Sequence, residues 1–110
     1  MSATLIFDLK RSLFTKKGFE IEIRMDVYKI DHPEGRNFPD GYRFSWIAFD
    51  RSDPLQRVLF DCHPPKGPHL HVDQDKEGIS FRWENLEKSM QLFWEKVWWR
   101  FGDREEGNEE

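Results

Sequence analysis

Phe19-Glu20-Ile21-Glu22-Ile23-Arg24-Met25-Asp26-Val27-Tyr28-Lys29-Ile30 alternates apolar and polar side chains over most of its length. Phe19, Ile21, Ile23, Met25 and Val27 fall on one side, Glu20, Glu22, Arg24 and Asp26 on the other. A strand turns successive side chains to opposite faces, so this segment packs one face and wets the other. That pattern belongs to an antiparallel sheet covered on one side only. Upstream, residues 4–14 alternate less cleanly, with Leu5, Phe7 and Leu9 against Ile6, Asp8 and Lys10. The pattern falters near Arg11, which reads as a β-bulge. Thr15-Lys16-Lys17-Gly18 between the two segments reads as a hairpin turn.

Downstream, residues 31–40 hold Pro33, Gly35 and Pro39 and read as a loop ending in the turn signal Pro39-Asp40-Gly41. Residues 42–50 form a third strand that is apolar on both faces, as expected near the centre of a sheet. Ser52-Asp53-Pro54 turns the chain into a fourth strand over 56–62, with Val58, Phe60 and Cys62 inward. Short strands are expected at His69–Val72 and over Ile79–Trp83. From Leu86 the period becomes helical: Leu86, Met90, Phe93 and Val97 recur on one face, with Asn85 placed as N-cap and Gly102 as C-cap. The expected fold is α+β: an antiparallel meander of five or six strands with one C-terminal helix packed on one face.

The 110 residues suit one domain. Ten Phe, five Trp and two Tyr supply enough apolar area for a small core. The last eight residues carry five acids and one arginine, a net of −4 that equals the formal charge of the whole chain. Residues 1–102 are thus a neutral domain, and 103–110 read as an acidic, disordered tail. A neutral body argues against nucleic-acid binding by bulk charge alone, while leaving room for a local RNA site. No apolar run reaches membrane-span length, and Met1-Ser2-Ala3-Thr4 does not begin a secretory signal. With a single cysteine, no internal disulfide is available, and a cytoplasmic location is expected.

Three of the four histidines lie within residues 61–73, with three of the six prolines and the only cysteine. Strand geometry puts His69 and His71 on one face, shared with Asp73, while Leu70 and Val72 face away. Asp61 and His63 share the face opposite Phe60 and Cys62. If the segments flanking residues 64–68 pair, then Asp61, His63, His69 and His71 meet on one side. Two chemistries are open to such a group. One imidazole can take a proton from a ribose 2′-hydroxyl while another hands one to the leaving oxygen, which cleaves RNA without a metal. Alternatively, imidazoles and a carboxylate can hold a divalent ion that activates water. The chain has no Cys-x-x-Cys and no His-Glu-x-x-His, so the acid–base reading stands ahead and no cofactor is expected. The plainer reading is polar decoration of an exposed strand.

Lys10, Arg11, Lys16 and Lys17 flank the first hairpin and suit phosphates, or simply keep an edge strand soluble. Cys62 points inward and is a poor nucleophile candidate. Trp94, Trp98, Trp99 and Phe101 crowd one helix, more aromatic surface than one buried face needs. Some of these tryptophans are therefore expected at the surface, as a site for a partner or a second copy of the chain.

Residues 19–100 resemble the TumE-type toxins of bacterial and archaeal toxin–antitoxin modules. The shared features are the long strand over 19–30, the aromatic strand Tyr42-Arg43-Phe44-Ser45-Trp46, Phe60-Asp61, the loop closing in His69-Leu70-His71, and the C-terminal helix. Trp46, Asp61, His69 and His71 match that family's pattern in type and order. Leu59, Phe60 and Cys62 stand where the family has arginine, tryptophan and asparagine. The resemblance implies a growth-inhibiting protein with a DNA-binding antitoxin, acting on RNA or translation. The leading expectation is thus a toxin-like protein working on RNA through His69 and His71 as proton carriers, with Asp61 orienting one of them. A non-catalytic interaction module presenting Trp94, Trp98 and Trp99 is the alternative.

Overall fold

The computed structural model describes residues 2–105. Six strands follow in chain order: β1 (Ala3–Phe14), β2 (Glu20–Ile30), β3 (Tyr42–Asp50), β4 (Asp53–His63), β5 (Gly67–Val72) and β6 (Ile79–Ser80). They form one antiparallel sheet in the order β1-β2-β3-β4-β5-β6, and the helix α1 (Leu86–Phe101) follows. Two 3-10 turns, Glu34–Asn37 and Pro39–Gly41, occupy the β2–β3 connection. The α+β meander expected from the sequence is the fold observed. No described helix is long and apolar enough to cross a membrane.

The alternation in β2 decides which face is covered. Ile21, Ile23, Met25 and Val27 are buried together with Phe44, Trp46 and Ala48 of β3 and Val58, Phe60 and Cys62 of β4. On α1, Phe93, Val97 and Phe101 complete this core, all without solvent exposure. The Phe93 ring meets Trp46 and Phe60 edge-on at 5.8 and 5.4 Å, a favoured aromatic geometry. The Asn85 side chain accepts from the Lys88 N–H at 2.8 Å, and the Gly102 N–H bonds to the Trp98 carbonyl, so both helix ends close where expected.

Four local expectations need correction. The register shift in β1 lies between Leu5 and Phe7, while pairing runs unbroken through Arg11. The β3–β4 turn is tighter than expected: Asp50 pairs with Asp53, leaving Arg51 and Ser52 at the tip, where Asp50 accepts from the Ser52 N–H. The last strand stops at Ser80 instead of running to Trp83. Phe81 and Trp83 leave the ladder because their rings pack on Phe60 and Phe44, at 5.2 and 5.7 Å. Finally, residues 103–105 belong to the ordered domain. The Lys16 N–H bonds to the Asp103 carbonyl, the Glu105 N–H to the Phe14 carbonyl, and Arg104 bridges Thr15. The rest of the expected tail lies outside the described residues.

Candidate functional site

The outer face of the sheet, away from α1, carries a single row of polar residues that runs across every strand. Asp8 pairs with Asp26, Asp26 with Ser45, Ser45 with Asp61, Asp61 with His69 and His69 with Ser80. Beside it runs a second row, Lys10, Arg24, Ile47, Leu59 and His71. Arg24 lies over the Phe49 ring at 5.4 Å and Arg43 over Tyr28 at 4.9 Å, so stacked cation–aromatic pairs edge the polar row.

β4 and β5 pair across the Pro64-Pro65-Lys66 tip, with His63 opposite Gly67 and Asp61 opposite His69. Gly67, at φ +80, supplies the left-handed residue that closes a three-residue hairpin loop. The turn also presents its carbonyl to the His69 ring, 2.8 Å from Nδ1. A carbonyl only accepts, so that nitrogen donates. His69 Nε2 sits 2.7 Å from Asp61 Oδ1. Both ring nitrogens therefore face acceptors, and the ring serves both only with a proton on each. With one proton, Asp61 Oδ1, itself shut off from solvent, has no hydrogen-bond donor. His69 has a strand on each side and an imidazole on each flank, His63 at 5.2 Å and His71 at 5.0 Å, and is 1% exposed.

His71 is different. Its Nδ1 donates to the Asp75 carbonyl at 2.8 Å, which leaves Nε2 with a free lone pair. Gly78 packs under the ring: a Cβ there would lie 2.7 Å from His71 Cε1. The ring lines a cavity of about 400 Å³ whose wall includes Arg57, Leu59 and Lys76. His63 is exposed at the other flank. One donor atom each from Asp61, His69 and His71 lies within 4.8 Å of the others, a set able to hold a divalent ion.

All four residues singled out from the sequence thus share one face and one neighbourhood. Asp73 does not join them. At φ +57 it leaves the strand, and its carboxylate takes the Arg100 Nε–H of α1 and the Arg57 N–H. Cys62 faces the core, where burial pushes its thiol up to about 11, too high for a thiolate near neutral pH. Asp8, Asp26 and Ser45 escape the sequence reading, because their place in the row depends on register across three strands. Asp26 is held above the usual aspartate range by burial first and by the charge of Asp8 opposite second. Glu22 is held low, first by its hydrogen bond from Arg24 and then by the charges of Arg24, Lys10 and Arg51, against an opposing effect of burial. On α1, Trp94 and Trp98 are half-buried and stack on each other at 5.3 Å, while Trp99 is 65% exposed.

Fold and site together define an α+β protein with a histidine–carboxylate cluster on the uncovered side of a single sheet. No protein-family model matches the chain, and neither a curated protein nor a solved structure matches it.

Proposed function

We propose that this protein cleaves RNA by metal-independent acid–base chemistry at the outer face of its sheet, as a toxin-like enzyme. The observation that carries the reading is the line His63–His69–His71, one imidazole buried beside Asp61 and two flanking imidazoles that reach solvent. Both His69 nitrogens face neighbouring oxygens and the ring is buried, so it acts as a positioning residue rather than a proton carrier. His71 Nε2 takes the proton of a ribose 2′-hydroxyl, and the freed oxygen attacks the adjoining phosphorus. His63, protonated, gives its proton to the departing 5′-oxygen, leaving a 2′,3′-cyclic phosphate. Arg57 and Lys76, in the wall of the cavity beside His71, supply the cations that seat the phosphate. The resemblance to TumE-type toxins supports the same direction and adds a cognate antitoxin as the expected partner.

The test is induced expression together with cleavage of single-stranded RNA by the purified chain in the presence of chelator. Expression slows growth, and the purified chain yields cyclic-phosphate ends. His71→Ala and His63→Ala each relieve both effects while leaving the circular dichroism spectrum unchanged. If either variant remains as inhibitory and as active as the parent, the assignment is wrong.

The exposure of Trp99 favours a second reading, a non-catalytic module that docks a partner through the end of α1. In that case Trp99→Ala, and not His71→Ala, relieves growth inhibition.

A further inference from the structure

We propose that Asp61, His69 and His71 form a binding site for one zinc-like divalent ion, and that the ion switches the acid–base centre off. The donor set is two imidazoles and one carboxylate, the mixture that suits zinc and its neighbours, whereas magnesium and calcium take all-oxygen shells. Each imidazole already donates its Nδ1 proton to a backbone carbonyl, His69 to Gly67 and His71 to Asp75. That is the outer-shell support which fixes a ring with Nε2 presented to a metal. The strands on either side of His69 keep its ring from turning away, and Gly78 packs beneath the His71 ring.

Asp61 Oδ1 gives the independent sign that something belongs there. The oxygen is shut off from solvent and is served by a donor only when the neighbouring ring carries two protons. A cation bound jointly by Asp61, His69 and His71 serves it directly. The donor atoms lie within 4.8 Å of one another, with Asp61 Oδ1 and His69 Nε2 at 2.7 Å, against about 3.4 Å for tetrahedral ligands with bonds of about 2.1 Å. Binding therefore draws partly exposed His71 inward and turns the partly exposed Asp61 carboxylate away from the fixed His69 ring. The cavity beside it leaves the fourth position to water, the arrangement of an open rather than a purely structural zinc site.

The regulatory half rests on the proposed cleavage, because the ion occupies the His71 nitrogen that accepts the 2′-hydroxyl proton. Binding and cleavage therefore exclude one another.

The binding half stands alone and is tested alone. The full chain, freed of metal with chelator, is titrated with zinc against a chromophoric competitor and with cobalt(II) by visible absorption. One ion per chain binds with submicromolar affinity, and cobalt gives the intense visible bands of a low-coordinate site. His71→Ala and the near-isosteric Asp61→Asn each weaken binding by at least about 100-fold, the upper end of what losing a supporting group alone costs. His63→Ala keeps the affinity while losing cleavage, which separates the metal site from the reaction. Wild-type protein that binds zinc only at high micromolar concentration or weaker overturns the site, as does tight binding that survives in both ligand variants. If the chain cleaves RNA, one equivalent of zinc abolishes cleavage and chelator restores it. Stimulation by zinc overturns the inhibitory assignment, whereas a chain that binds zinc and never cleaves RNA overturns only the reading of function.

Discussion

One step along each strand separates two rows of the same sheet. Leu9, Met25, Trp46, Phe60 and Leu70 pair in order across β1 to β5 on the side that α1 covers. Asp8, Asp26, Ser45, Asp61 and His69 pair in the same order on the other side. The first row is buried from Met25 to Leu70 and holds the domain together by excluding water. The second is polar throughout, yet its last member is as inaccessible as the core. Burial alone therefore does not mark what a residue is for. A buried apolar side chain stabilises by leaving water, whereas buried His69 needs a polar partner at each ring nitrogen.

The largest difference between the rows should appear on truncating Trp46. Trp46→Ala empties a fully buried site beside Phe44, Phe60 and Phe93 and should cost about 3–5 kcal/mol in urea denaturation. Ser45→Ala, one residue away on the outer face, should stay within about 0.5 kcal/mol. An equal loss at both positions would erase the distinction between the two sides.

His69→Ala tests the exception. It strips the Gly67 carbonyl of its donor and empties the buried site beside Asp61 Oδ1, and a loss of about 1–3 kcal/mol is expected. A neutral outcome would place His69 with the surface residues, whatever its accessibility.

Asp26→Asn should raise the melting temperature at pH 7. Asp26 holds its proton more tightly in the folded protein than in the unfolded chain, first through burial and then through Asp8. Its protonated form therefore favours folding. The benefit is complete below the unfolded value of 3.8 and fades as pH rises through the higher folded value. The amide mimics the protonated side chain, so its advantage over the parent should shrink to nothing as pH falls below 3.8. Thermal melts from pH 3 to pH 7 check the sign, and a gain that does not depend on pH would refute the cause.

The smallest effect belongs to His63. This side chain is exposed, and His63→Ala should change stability by less than about 0.5 kcal/mol while abolishing cleavage. A large stability loss would mean that the loop tip depends on it.

Much of the sheet is legible in the chain because period-two alternation is a local property. The faces of Ile21 through Val27, and of Val58, Phe60 and Cys62, follow from counting by twos. The helix ends at Asn85 and Gly102 follow from cap chemistry. Legibility fails where long-range packing overrides the local pattern. Phe81 and Trp83 alternate like a strand and yet fold onto Phe44 and Phe60. Asp73 alternates with His69 and His71, and yet Arg100, 27 residues later, draws its carboxylate to the helix.

For the site, the sequence by itself determined which side chains share a face: Asp61 with His63, and His69 with His71. Alternation along a strand requires that much whatever its neighbours are. Only the tertiary structure decided the pairing of β4 with β5 that puts Asp61 against His69, the seclusion of one imidazole between two others, and the alignment of Asp8, Asp26 and Ser45 with them. Register between strands is set by turns and by burial of the opposite face, contacts that no stretch of chain carries within itself.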